Sequence, residues 1–335
     1  MLRNEDYSDF NIIGIGSDQV DSKNLLQLVM QDDIIHIHWL HPFILNDASM
    51  QEFAEILKTL KSQKNVLIIW TIHNTVSHEC SDRQEELRRR RYIAKHCDRF
   101  LVHSNYALDE VENLYGVERD KIYIIPHGKY NIDEEKTIRL INKSKALKRR
   151  MRLTLVGDLR AYKNAEWAAE FICKINQGLF MDQFIELRIA GQSISKEQSD
   201  YLLQLANSYN FISLNLQRLS DDQLLHEFCE ADFIFAPYSN LLTSGICINS
   251  ISHGRPFIAP KFPSLDELCF DGKSFLYENH DELASMLLKY NDYYHRGLLS
   301  LLFDAKRIIN ETHDLEWSCI FSNLNSNPFL ALPSP

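Results

Sequence analysis

The chain has 335 residues, enough for two domains at roughly 150 residues each, and its 45% hydrophobic and 24% charged content excludes disorder, collagen and coiled coil. Lys and Arg total 36 against 46 Asp and Glu, a formal net charge of −10, which argues against a nucleic-acid coat and requires any anionic ligand to meet a local basic site. The first ten residues are polar and acidic, and no run of about 18 apolar residues follows, so neither a signal peptide nor a membrane span is expected. The seven cysteines (Cys80, Cys97, Cys173, Cys229, Cys247, Cys269, Cys319) are scattered and never in C-x-x-C spacing, which points to a reducing cytosol without a disulfide framework or zinc site.

In chain order, β-branched runs predict strands at 11–15, 33–39, 65–72, 99–103 and 122–126. Helical spacing of Phe53, Ile56, Leu57 and Leu60 predicts a helix over 50–63, with others at 82–95 and 106–115. Residues 129–152 turn polar and basic, which places the domain boundary there: 1–150 as an N-terminal domain and 151–335 as a C-terminal one, its last helix packing back on the first. Further strands are expected at 153–156, 185–190, 212–214, 232–235 and 256–259. The alternation predicts an α/β protein of two Rossmann-like, doubly wound domains facing a cleft.

Open parallel sheets bind ligands beyond the C-terminal ends of their strands, so motifs there carry the most information. VGDLRAYKN (156–164) leaves a strand at Gly157 and enters a helix near Asn164, setting Arg160 and Lys163 beside a helix N-terminus where a diphosphate can bind. An N-capped surface turn with two solvated cations is the plainer alternative. FAPYSNLLTSGICIN (235–249) places Pro237, Tyr238, Thr243, Ser244 and Gly245 in a loop leading into an apolar helix, where an ordinary cap is the plainer alternative. SHGRPFIAP (252–260) closes that helix and enters the next strand. The G-x-G of Gly14 and Gly16 lacks a third glycine, so a dinucleotide fingerprint is discounted.

Taken in order, these segments resemble GT-B glycosyltransferases, in particular glycosyltransferase family four and bacterial exopolysaccharide or lipid-linked-saccharide (β-mannosyl)transferases. The first half fits with DIIHIHW (33–39), WTIHN (70–74), DRFLVHS (98–104) and IPHG (125–128). The resemblance implies a nucleotide-sugar donor, GDP-mannose or a UDP-hexose, and a saccharide or lipid-linked saccharide acceptor, in polysaccharide or glycolipid biosynthesis. It implies His73 beside the reacting sugar, Arg160 and Lys163 on the departing diphosphate, and Gly157, Asn164, Pro237, Tyr238, Thr243, Ser244, Gly245, Asn249 and Glu267 around the donor. His38, Trp39, Asn74 and His127 fall on the acceptor side. No Asp-x-Asp stands at a strand end, Asp221 and Asp222 reading as a helix start, so neither metal nor cofactor is expected.

The family's usual pair of glutamates eight residues apart is replaced by Leu241 and Asn249. A catalytically silent GT-B nucleotide-sugar or glycan-binding protein, and a nucleotide-sugar epimerase, are the alternatives. His36, His38 and His103 read as structural histidines. The basic runs at 88–91 and 148–152 read either as a peripheral contact with an anionic membrane surface, at the inner face of the membrane, or as solvated faces paired with Glu85 and Glu86.

Overall fold

A computed structural model describes residues 13–14, 22–41, 43–77, 80, 82–147, 150–267 and 274–312. Most of the strand expected at 11–15, together with Gly16, Lys148, Arg149, Cys269 and Cys319, lies outside them. The chain falls into two units, one of residues up to Val102 with Leu108–Tyr123, the other of His103–Ala107 with the chain from Ile124 onward.

The first unit runs α1 (Ser22–Leu28), β1 (Ile34–Ile37), α2 (Asp47–Lys64), β2 (Leu67–Thr71), α3 (Arg83–Ala94), β3 (Arg99–Val102), α4 (Asn105–Tyr115) and β4 (Ile122–Ile124), although the first turn of α4 and the end of β4 belong by contact with the second unit. The sheet order is β1-β2-β3-β4, with β1 and β3 both parallel to β2. All five residues of β2 are buried, the pattern of a central strand covered on both faces. Helix α2 begins at a capping box, the Asn46 side chain accepting from Ser49 N–H and the Ser49 hydroxyl from Asn46 N–H, and ends at Asn65 in the left-handed region.

The second unit continues with α5 (Glu134–Leu147), β5 (Arg152–Val156), α6 (Ala165–Asn176), β6 (Glu186–Ala190), α7 (Lys196–Ser208), β7 (Ile212–Asn215), α8 (Asp221–Glu230), β8 (Phe233–Phe235), α9 (Gly245–Ser252), β9 (Phe257–Pro260), α10 (Pro263–Asp266), β10 (Ser274–Tyr277), α11 (His280–His295), α12 (Leu299–Leu302) and α13 (Ala305–Glu311). Its six strands are all parallel, in the order β10-β9-β8-β5-β6-β7. Counted from β5, this is the doubly wound dinucleotide-fold order, whose switch point lies between β5 and β8. One core forms around Leu153, Leu155, Leu187, Ile189, Ile172 and Leu287. A second forms around Val156, Ile234, Phe228, Ile248 and Ile251. The sheet therefore has apolar residues to bury on both faces.

Two differences from the sequence reading have physical causes. The polar stretch placed at the boundary contains α5, which buries Thr137 and Ile141 and packs against α8, so the chain changes unit near residue 124 rather than 150. Strand β10, at the sheet edge and paired with β9, is not among the strands that the sequence predicts. Helix α13, the last described, packs on α9 within the second unit. No helix among the described residues is long and apolar enough to cross a membrane.

Candidate functional site

In the second unit, the turns after β5 and β8 flank the switch point and hold most of the expected donor residues. Gly157 leaves β5 at φ +86°, a conformation that glycine adopts without steric cost. The chain then makes a single 3-10 turn over Ala161–Lys163, with Arg160 at its start and Asn164 in the left-handed region at the start of α6. Asn164 Nδ2 donates to Pro237 O at 2.8 Å, and Ser239 N–H donates to Tyr162 O at 2.9 Å, joining the two turns. The Tyr162 ring meets the buried Tyr238 ring edge-on at 5.4 Å.

Lys163 is turned inward and is only 5% exposed. Its ammonium donates to Val156 O at 2.9 Å and lies 5.9 Å from the Tyr238 ring centroid. Burial lowers its pKa to about 8, with Arg160 pushing the same way and Asp158 opposing. A Cβ on Gly157 would stand 2.7 Å from this ammonium and 3.6 Å from Ile246 in the first turn of α9. Gly157, Lys163 and the start of α9 thus converge around one buried cation, which a bound anion would stabilise.

Ser244 caps α9, its Oγ accepting from Cys247 N–H at 3.1 Å, so that hydroxyl is already engaged as an acceptor. Thr243 Oγ1 and Asn249 Oδ1 are buried without a hydrogen-bond partner among the described residues. Tyr130, which the sequence reading did not single out, reaches the same place: a Cβ on Gly245 would stand 3.0 Å from its hydroxyl, and its N–H donates to Ser252 Oγ at 2.9 Å. A lone tyrosine two residues past a His-Gly pair gives no signal until the fold brings it to α9. His127, expected on the acceptor side, lies in the second unit with its ring 5.3 Å from His103 and 5.9 Å from Tyr130. Burial lowers its pKa. Glu267, expected on the donor, accepts at 2.8–2.9 Å from Asn105 N–H, Asn105 Nδ2 and Tyr106 N–H, and so serves the first turn of α4.

In the first unit, the ends of β1 and β2 bring together His36, His38, Trp39, His73 and Asn74. His38 Nδ1 and His73 Nε2 share a hydrogen bond at 3.1 Å, and His36 Nε2 bonds Thr71 Oγ1 at 2.7 Å. Trp39 stacks on His73 at 4.9 Å between centroids and is 56% exposed. Crowding by protein atoms, with the neighbouring His38 imidazole adding to it, lowers the His36 pKa to about 4, and the same desolvation lowers that of His38. His36 and His38 are therefore neutral near pH 7. Among the described residues no group of three or more His, Cys, Asp or Glu side chains is placed to hold a metal ion.

The two parallel α/β sheets, with the doubly wound order in the second, match the GT-B glycosyltransferase fold. Residues 20–129 match the model of Glycosyltransferase Family 4. Similar solved structures include sucrose-phosphate synthase from Thermosynechococcus elongatus, 15% identical over 88% of this chain and 72% of that one, with a TM-score of 0.65. HepE from Anabaena in complex with UDP is 14% identical over 91% and 82%, TM-score 0.61. The catalytic domain of starch synthase IV from Arabidopsis thaliana, bound to ADP and acarbose, is 15% identical over 91% and 74%, TM-score 0.62. At such identities the likeness is one of fold. No curated protein sequence matches the chain.

Proposed function

We propose that this protein is a metal-independent glycosyltransferase that moves a hexose from a nucleotide sugar, GDP-mannose or a UDP-hexose, to a saccharide acceptor in polysaccharide or glycolipid synthesis in the cytosol. The observation that carries this reading is the buried Lys163 ammonium at the β5–β8 switch point, with one carbonyl for a hydrogen-bond partner. Departure of a nucleoside diphosphate concentrates negative charge on its terminal phosphate, and a cation already held in a dry site stabilises that charge without reorganising. Arg160 and the amides at Gly245 supply the rest. Asn249 and Thr243, with unpartnered buried oxygens, are the groups we assign to the donor's hydroxyls.

On the first unit, His73 is the group we place nearest the reacting sugar, with Trp39 offering an exposed aromatic face to a pyranose of the acceptor. The neighbours support the choice of donor class: HepE has been crystallised with UDP and glucose, and the starch synthase with ADP.

Thermal shift and hydrolysis with GDP-mannose, UDP-glucose, UDP-GlcNAc and UDP-galactose, with and without Mg²⁺, test the reading. Stabilisation by one of them, with transfer that survives EDTA and falls roughly a hundredfold in Lys163→Ala, is expected. Nucleotide-sugar binding without any turnover would instead favour a silent binding protein, the reading to which Leu241 and Asn249 in the glutamate positions point.

A further inference from the structure

The four consecutive arginines of α3 are spent inside the first unit. Arg88 bonds Asp47 and Glu85, Arg89 bonds Asp47 and the Leu45 carbonyl, and Arg91 donates to Leu114 O. Arg90 differs from the others in being buried, its side chain 8% exposed and that of its partner Glu86 12%. Its Nε and Nη2 both meet Glu86 Oε1 at 2.8 Å, and its Nη1 donates to Asn74 O at 3.0 Å. Glu86 in turn accepts from Ser77 N–H at 2.6 Å and from Ser77 Oγ at 2.9 Å. Tyr115 of α4 donates to Thr75 O at 2.6 Å.

The loop after β2 has no sheet ladder to satisfy its backbone, and these side chains take that role at Asn74, Thr75 and Ser77. On the other side of His73, Ile72 N–H donates to Leu101 O at 2.9 Å. His73 is thus bracketed between a backbone bond and an arginine, with its ring against His38 and Trp39. A buried ion pair contributes little net stability once its desolvation is counted, so its main effect here is on geometry.

We infer that Arg90, set by Glu86, is a positioning residue that holds the 73–77 loop so that His73 meets the reacting sugar in one orientation. The inference rests on the role proposed for His73. Arg90→Lys keeps the charge and loses the fork. Amide exchange over 73–77 is expected to quicken at least roughly tenfold in Arg90→Lys and Glu86→Gln while β2 stays protected. Turnover is expected to fall about a hundredfold with little change in donor KM. In a His73→Ala background the Arg90→Lys change should then cost nothing further, because the two act through one group.

Unchanged exchange would overturn the inference, as would an equal loss of kcat in both backgrounds, since a merely structural arginine costs the same in either. Full activity in His73→Ala would instead refute the role given to His73, and exchange alone would then decide whether Arg90 holds the loop.

Discussion

The Asn164 side chain donates to the Pro237 carbonyl oxygen at 2.8 Å, and together with the Ser239 N–H on Tyr162 O this bond ties the turn after β5 to the turn after β8. The tie fixes the switch point from both sides, and Lys163, immediately before Asn164, is buried within it. The chemistry expected of the second unit depends on how that buried cation titrates.

Burial places the Lys163 pKa at about 8, well below 10.5. A nucleoside diphosphate binds the ammonium form, so affinity should be flat below about pH 8 and then fall, approaching tenfold per unit above it. Free-protein stability should move the other way: between about 8 and 10.5 the unfolded chain still carries the proton that the folded chain has released, so stability rises with pH. Titration calorimetry with GDP and UDP from pH 7 to 9.5, alongside urea unfolding, checks both slopes, and both should vanish in Lys163→Met.

Gly157→Ala introduces a Cβ 2.7 Å from the Lys163 ammonium at a backbone φ of +86°. The backbone strain should cost about 1–2 kcal/mol. Displacement of the ammonium should weaken nucleotide binding as well. Urea midpoints and nucleotide Kd measured on the same preparation separate the two effects, and an unchanged Kd would mean that Lys163 has no part in binding.

Glu267 offers a cleaner separation of roles. Because its carboxylate accepts from the first turn of α4, Glu267→Ala should remove about 1 kcal/mol of stability, the ordinary worth of a helix cap. Donor Kd should stay within twofold, a narrow range on the affinity scale. A tenfold loss of donor affinity at unchanged stability would return this residue to the donor site.

His36, lowered to about 4, resists protonation that the unfolded chain accepts at about 6.5. The stability it protects is complete above pH 6.5 and is lost progressively as pH falls toward 4. Thermal melts across that window should show a shallower acid slope in His36→Gln than in the wild type. Identical slopes would mean that the imidazole takes up its proton without cost.

Much of the fold is legible from local patterns. The strands are short, β-branched and bounded by polar turns, so nine of them fall within a residue or two of where the sequence predicts them, and the motif-bearing turns fall at their C-terminal ends as parallel sheets demand. What stayed hidden depends on distant partners. Helix α5 reads as a charged hinge because Thr137 and Ile141 find their burial only against α8. Strand β10 stands at the sheet edge, where its ladder is the one it makes with β9. Tyr130 and Glu267 gain their meaning from Gly245 and Asn105, each more than a hundred positions away.

The arginines of α3 illustrate the same limit from the other side. In the sequence the run looks like one block of surface charge, the natural target for anyone trimming cations to improve behaviour in solution. In the fold its members are far from equivalent. Arg88 is half exposed and shares two carboxylates, so its removal amounts to surface retouching. Removing Arg90 leaves the Glu86 carboxylate buried without its counter-charge and the Asn74 carbonyl without its donor. Recharging this helix for expression or crystallisation should therefore begin at its outer positions and leave Arg90 in place.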